Sequence, residues 1–259
     1  MLGITMAGQA RKFLGLGDQL QFTSFPENFF RNTGQKLVDI DKNPLFDYNP
    51  YVVRDVQPEA VLDLWKMTDV AQGGVVYDKN KCILSLAEKN MYIASKILGT
   101  NFKTFLRTPR LYVHEDSKIN NNQIIVHFFG KSHQPIPDKV VNKIRENYKD
   151  FKIIQIGGEN QKTYDFFENK MGLSIFETAK LIAESILFIG INSGMLNIAL
   201  SYPKVNKKMI LNHDDDGYDL DKMIPMDADN GHYHWLDFSV PIFNTSEIDI
   251  GVTKSYLYI

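Results

Sequence analysis

The sequence predicts an α/β protein, and two observations carry that expectation. Between about Asn120 and Asn212, short runs of branched apolar residues alternate with stretches of helical period. Strands and helices alternating at this spacing pair in parallel through right-handed crossovers. The composition, 44% hydrophobic and 23% charged, is that of a globular chain with ample material for a core. At 259 residues it suits one large domain or two small ones, at about 100–200 residues each.

In chain order, Lys36 to Ile40 predicts a strand and Ile83 to Leu98 a helix, with Phe102 to Leu106 and Arg110 to His114 as strand candidates. Prolines and asparagines between Asn43 and Pro58 mark loops. These pieces fit a smaller α/β domain over residues 1–116. The polar, turn-prone stretch Glu115 to Asn122 is the expected linker. Ile124 to Phe129 then reads as a buried strand ended by Gly130. After Pro135 and Pro137, Asp138 to Lys149 sets Val140, Val141, Ile144 and Tyr148 on one helical face. Lys152 to Ile156 is the next strand, closed by Gly157-Gly158. Ser174-Ile175-Phe176-Glu177 has the form of a capping box, which predicts a helix from Ile175 to about Glu184. Ile186 to Ile191 is a third strand, Ser193 to Ser201 a short helix, and Lys207 to Leu211 a fourth strand. The second domain, residues 117–259, is thus a Rossmann-like half. The C-terminal tail is a candidate to pack back onto the first domain.

Charge and cysteine content narrow the function classes. A formal net charge of −2, from 29 basic and 31 acidic residues, excludes a polycation that grips nucleic acid through bulk charge and leaves room for a local basic patch. The single cysteine, Cys82, allows no intrachain disulfide and argues for a reducing compartment. No apolar run reaches the roughly 18–20 residues of a membrane span, and the apolar stretch at the N-terminus is too short for a signal peptide. A soluble cytoplasmic protein is expected.

Three glycine-bearing turns are candidate sites. Gly15-Leu16-Gly17-Asp18 permits a tight backbone beside one carboxylate. A dinucleotide fingerprint needs a third glycine where Leu20 stands, which disfavours hydride chemistry on NAD. The plain alternative is a turn with Asp18 capping the following helix. Gly157-Gly158-Glu159 closes a strand, where ligands of open parallel sheets gather. Gly158 there would let a ligand approach the backbone, and Glu159 would accept hydrogen bonds from a ribose or a base. An ordinary loop is the alternative. Gly190-Ile191-Asn192-Ser193-Gly194-Met195 runs from a strand into a helix start, where free amides and a hydroxyl suit a phosphate. The alternative is that Asn192 or Ser193 simply caps that helix. A hydrolase elbow requires glycine two residues before and after the serine, positions held by Ile191 and Met195, so that reading fails. Lys131, following the strand that ends at Gly130, would bring a positive charge to the same sheet edge.

Two polar clusters and one aromatic run complete the candidates. The acidic loop from Asp214 to Asp221 offers Asp214 and Asp216 as low-ranking cation ligands, yet lacks the calcium-loop pattern. His213, His232 and His234 are weaker metal candidates still. Phe22, Phe25, Phe29 and Phe30 read as core or cleft wall rather than a base-stacking platform.

Taken in order, Gly-Leu-Gly-Asp near the N-terminus, a lysine after a central strand, Gly-Gly-Glu after the next, and Leu-Ile-Ala followed by a strand and Ser-Gly resemble the heptosyltransferase-like glycosyltransferases of family 9. The longest similar stretch is GLSIFETAKLIAESILFIGINSGMLNIA, from Gly172 to Ala199. Asn49-Pro50 is a weaker echo. The resemblance implies a GT-B fold, with two Rossmann-like domains whose parallel sheets face each other across a cleft, the N-terminal one reduced. It implies inverting transfer of a sugar from a nucleotide-diphosphate sugar, UDP- or ADP-linked, to an acceptor hydroxyl, with no metal or other cofactor required. Asp18 aligns with the catalytic aspartate, which acts as general base. Lys131 aligns with the lysine that steadies the leaving diphosphate, and Glu159 with an acidic residue near the nucleoside. Asn192, Ser193, Gly194 and Met195 match the segment that holds the diphosphate, and Gly17 and Gly158 are the glycines beside the donor. The family usually has aspartate in place of Asn192 and histidine in place of Asn197, which puts ADP-heptose itself in doubt. The chain is also shorter than the family's usual length, so the acceptor does not follow by analogy. A glycan, a small metabolite or a modified DNA base would all serve. The other class in view is a non-catalytic nucleotide- or sugar-binding protein of the same fold.

Overall fold

Two parallel sheets, each with one antiparallel edge strand, organise the chain. The structure is a computed structural model. It describes residues 1–6, 15–64, 67, 86–130, 136–191, 193–210, 224–225 and 257–258. The chain divides into two units, Met1–Tyr112 with Asp229–Ile259, and Val113–Ala228.

In the first unit the strands are β1 (Leu2–Thr5), β2 (Leu37–Asp39), β3 (Val52–Val53), β4 (Ala60–Asp63) and β11 (Leu257–Tyr258). Their order is β11-β4-β1-β2-β3. All are parallel except β11, whose Leu257 lies opposite Leu62. The strand order therefore reverses between β1 and β4. Helix α1 (Leu16–Gln21) follows β1 in the chain and runs through one 3-10 turn, Phe22–Ser24, into α2 (Phe25–Thr33). Pro26 suits the first turn of α2, where its missing N–H costs nothing. Gly34 ends that helix at φ 71°, donating its N–H to the Phe30 carbonyl at 2.7 Å. A left-handed terminator of this kind favours glycine. Helix α3 spans Leu86–Leu98; the expected start at Ile83 lies outside the described residues. The core joins Ile4, Leu37 and Leu62 of the strands to Phe22, Phe25, Phe29, Met91 and Ile97 of the helices. The aromatic run is thus core at Phe22, Phe25 and Phe29. Phe30 stacks on Tyr51 with ring centroids 4.9 Å apart.

Two strand candidates are corrected. Phe102–Leu106 and Arg110–His114 are not strands. Side chains occupy their backbone groups instead. Asn32 accepts from Lys103 N–H and donates to its carbonyl, both at 2.8 Å. Asn28 Oδ1 accepts from Phe105 and Leu106 N–H at 2.7 and 2.9 Å. Ser95 Oγ takes Phe102 N–H and Thr23 Oγ1 takes Arg110 N–H. Tyr112 donates its hydroxyl to buried Glu27, and both burial and that carboxylate push the phenol well above its usual range. With these groups satisfied, the segment gains nothing from a strand neighbour.

The second unit holds β5 (Asn120–His127), α4 (Asp138–Asn147), β6 (Lys152–Gly157), β7 (Glu168–Met171), α5 (Ile175–Ala183), β8 (Ser185–Ile191), α6 (Gly194–Leu200), β9 (Asn206–Ile210) and β10 (Ile224–Pro225). The order is β10-β9-β8-β5-β6-β7, parallel throughout except β10. The chain leaves β5 toward β6 and leaves β8 toward β9, so the order reverses between β5 and β8. Both halves of the expected capping box form: Ser174 Oγ accepts from Glu177 N–H, and Glu177 Oε2 accepts from Ser174 N–H. Strand β5 begins at Asn120, four residues before its apolar run; Asn120, Asn121 and Asn122 are exposed and Gln123 is buried. Strand β7 was not expected; it is a short polar edge strand with no apolar alternation to announce it. Val140, Val141 and Ile144 of α4 pack with Ile124, Val126, Ile153 and Ile189 in the core.

Candidate functional site

In open α/β sheets, ligands bind beyond the carboxyl ends of the strands, at the point where strand order reverses. Each sheet has one such point.

In the second unit this point lies between the ends of β5 and β8. His127, the last residue of β5, is in register with Gly190 of β8. The strands meet closely there: a Cβ on Gly190 would lie 2.9 Å from the His127 carbonyl oxygen and 2.9 Å from Phe188. The His127 side chain is 3% exposed, and its Nδ1 lies 3.2 Å from Ser193 Oγ. Ser193 occupies the N-cap position of α6, but its side chain makes no capping hydrogen bond. The plain alternative that Ser193 simply caps this helix therefore does not hold, since the hydroxyl turns to the imidazole, and Asn192, the other residue of that alternative, lies outside the described residues. Gly194 and Met195 form the first turn of α6, half-buried. Asn197 is buried one turn on, its N–H donating to the Ser193 carbonyl at 3.2 Å.

Beside β5, strand β6 ends at Gly157. The Gly158–Gln161 turn is closed by Gln161 N–H on the Gly158 carbonyl at 3.1 Å. Gln161 Oε1 accepts from Gly158 N–H at 2.9 Å, and its Nε2 donates to the Phe129 carbonyl at 3.4 Å. This side chain braces the exits of β5 and β6 against each other. It fills the space over Gly157, where a Cβ would lie 2.2 Å from Oε1. Gly158 differs: among the described residues, its chain neighbours aside, nothing comes nearer than 3.7 Å to its Cβ position. Glu159 is exposed and lies over Gly172, where a Cβ would lie 2.4 Å from Glu159 Cγ and the φ of +67° would strain any side chain. Further along, Lys162 and Tyr164 donate to Asp138 Oδ1 at 2.6 and 2.7 Å, holding that carboxyl below its usual range.

In the first unit α1 follows β1. Gly15 takes the N-cap position, so Gly17 and Asp18 fall within the helix and Asp18 is not its cap, contrary to the plain alternative. The Asp18 side chain is outside what the structure describes. The exit of β1 is held by Asp41, whose carboxylate accepts from Thr5 Oγ1 and Met6 N–H. A groove of about 830 Å³ lies elsewhere in this unit, lined by Ile40, Lys42, Asp55, Val56, Pro58 and Glu59 among others, and by none of the candidate site residues.

Lys131, Asn192, Asp214, Asp216 and the rest of the acidic loop, and His213, His232 and His234 lie outside the described residues. Among the described residues no three His, Cys, Asp or Glu side chains group as a metal site, and no helix is long and apolar enough to cross a membrane. Two residues of the second unit were missed from sequence. His127 is the one polar residue in Ile124–Phe129, a signal that was available. Gln161 carried none.

No family model and no curated protein matches the chain. Solved structures do. It is similar to a family 9 glycosyl transferase from Veillonella parvula at 13% identity, covering 77% of each chain with a TM-score of 0.50. It is similar to the heptosyltransferase WaaC of Escherichia coli, solved with ADP, at 10% identity over 83% of this chain and 88% of that one, with a TM-score of 0.58. The iron-containing dodecameric glycosyltransferase TibC of enterotoxigenic E. coli aligns at 15% identity, over 82% of this chain and 57% of TibC, with a TM-score of 0.51. TibC has also been solved with ADP-D-β-D-heptose. Likeness at such identity speaks to the fold. The chain has a GT-B-like α/β fold, and the remote resemblance to heptosyltransferase-like enzymes read from its motifs holds at that level.

Proposed function

We propose that the protein transfers a sugar from a nucleotide-diphosphate sugar, UDP- or ADP-linked, to an acceptor hydroxyl with inversion at the anomeric carbon. One observation carries the reading. The strand order reverses between β5 and β8, and the segments leading to Lys131 and to Ser193-Gly194 leave the sheet there. The neighbours solved with ADP and with ADP-D-β-D-heptose support the donor class.

In this mechanism Asp18 takes the proton of the acceptor hydroxyl as its oxygen attacks the anomeric carbon. The bond from that carbon to the diphosphate oxygen breaks, and its electron pair leaves with the diphosphate. Lys131 and the groups of Asn192, Ser193 and Gly194 offset the charge that builds on the leaving oxygens. Met195 and Gly17 border the donor. Gly158 leaves its backbone open to close approach, and Glu159 accepts from the ribose or the base.

A second reading keeps binding and drops turnover. It is favoured by Asn192 and the buried Asn197, which stand where the family has an acid and a histidine. A thermal-shift panel of UDP-, ADP-, GDP- and CMP-sugars, run with and without divalent metal, tests both readings. A ligand at 100 times its Kd stabilises by about 2.7 kcal/mol, well within detection. A shift with donor turnover supports the transferase, and a shift without turnover supports the binder. No shift with any donor overturns both.

A further inference from the structure

We propose that His127 is a positioning residue, which fixes the Ser193 hydroxyl so that it donates to a phosphate oxygen of the bound diphosphate. The proposal rests on the nucleotide-diphosphate reading above and adds to it a residue on which neither the resemblance nor the sequence motifs bear.

The argument starts from position. His127 ends the central strand β5 at the point of strand reversal, and Ser193 follows β8, the other strand of that point. An imidazole at 3% exposure, in a strand whose neighbouring residues Ile125, Val126 and Phe128 are buried and apolar, is costly to bury without hydrogen-bond partners. Its presence calls for a polar role. One partner in that role is Ser193, whose Oγ lies 3.2 Å from Nδ1.

The second step concerns what Ser193 does not do. A serine at an N-cap ordinarily accepts from an amide of the first helical turn. Ser193 forgoes that bond, and its oxygen meets the imidazole. When Nδ1 carries the proton, the serine oxygen accepts and the serine hydrogen is left to point at a ligand. A hydroxyl so held presents a single donor direction with its rotamer already fixed, which lowers the ordering cost of binding. Gly190 completes the arrangement. Any side chain there would press on the His127 carbonyl at 2.9 Å and displace the strand end that carries the imidazole.

The test measures binding of ADP and UDP, with adenosine and uridine as controls, by calorimetry on the full chain. His127→Leu and Ser193→Ala are each expected to weaken the preferred diphosphate about tenfold, the scale of one hydrogen bond to a charged ligand. The nucleoside controls are expected not to change. The double variant is expected to bind no more weakly than either single one, because His127 acts through Ser193. His127→Asn, which sets an amide close to where Nδ1 stood, is expected to recover affinity to within about threefold of wild type. Thermal unfolding of each variant separates loss of the contact from loss of the fold, with His127→Asn as the variant to rely on where His127→Leu unfolds. Independent, additive losses in the double variant overturn the proposal, as do equal losses for nucleosides or failure of His127→Asn to recover affinity. Labelling of Ser193 by a fluorophosphonate also overturns it, since the serine would then be a nucleophile. Wild-type protein that binds neither ADP nor UDP overturns the donor reading itself, and His127 with it.

Discussion

Asn28 closes both backbone groups of Leu106, accepting its N–H and donating to its carbonyl, each at 2.9 Å. The same carboxamide oxygen takes Phe105 N–H at 2.7 Å. One side chain of α2 thus serves the segment as a neighbouring strand would. Asn28→Leu leaves three backbone groups without these partners and is expected to cost about 2–4 kcal/mol in urea denaturation. Asn28→Asp keeps the acceptor, loses the donor and is expected to cost less. Faster amide exchange at Phe105 and Leu106 is expected in both. A stability for Asn28→Leu within about 0.5 kcal/mol of wild type, the range of an ordinary surface change, would show that the bonds are not needed.

The same segment shows where sequence reading stopped. Phe102–Leu106 has strand-like residues, but which partner takes its amides depends on an asparagine over 70 positions away. The second unit was far more legible, because parallel strands buried on both faces are written as apolar runs, as in Ile124–Val126 and Ile186–Ile191. The Ser174–Glu177 capping box fixed the start of α5 through local bonds alone. Strand β1 carries Gly3 within four residues, and β7 is polar and peripheral, so neither wrote a pattern. At the candidate site the glycine turns were readable. The direction of the Ser193 hydroxyl was not, since it is set by His127, 66 residues earlier.

Arg54 makes the pH dependence of the first unit testable. Its guanidinium reaches Asp39 Oδ2 through Nε at 3.2 Å and Nη2 at 3.0 Å, and Asp47 through Nη1 at 2.7 Å. Asp39 is 2% exposed, and its burial raises its carboxyl above the usual value although Arg54 opposes the rise. A carboxyl raised on folding contributes stability that is present below its unfolded value and lost as pH rises through the folded one. Arg54→Met removes the opposing charge and lifts Asp39 further, so the loss extends to higher pH. The expected cost is about 3 kcal/mol at pH 7.5 and distinctly less at pH 4.5, read from urea midpoints. Equal costs at both pH values would rule this account out.

Gly157 and Gly158 are neighbours with opposite expectations. A methyl on Gly157 would lie 2.2 Å from Gln161 Oε1 and 2.8 Å from Met171 Cε. Gly157→Ala therefore expels Gln161 from its bonds to Gly158 and Phe129, at an expected cost of about 1–3 kcal/mol. At Gly158 the nearest atom of the described residues beyond its chain neighbours is 3.7 Å from the Cβ position, so Gly158→Ala is expected to leave the midpoint within about 0.5 kcal/mol of wild type. Under the proposed function the same methyl would stand where the donor approaches the backbone, and a sugar-nucleotide affinity reduced about tenfold is expected. Unchanged affinity in a stable Gly158→Ala protein would take Gly158 out of the donor site.

Asp18 and Lys131 divide the proposed reaction between proton and charge, and their variants should fail in different ways. Asp18→Asn is nearly isosteric but cannot take a proton at neutral pH. It is expected to bind the donor within about threefold of wild type while transfer and slow donor hydrolysis fall by about 10²–10⁴. Lys131→Ala loses a charge that serves the diphosphate and not the base. Its affinity for ADP or UDP is expected to fall by about tenfold while that for the nucleoside holds. Equal losses for diphosphate and nucleoside would mean that Lys131 shapes its loop rather than meeting the phosphates. Unchanged turnover in Asp18→Asn would require another base. A protein that binds the donor but turns none of it over, and in which Asp18→Asn changes nothing, is the non-catalytic binder that Asn192 and Asn197 suggest.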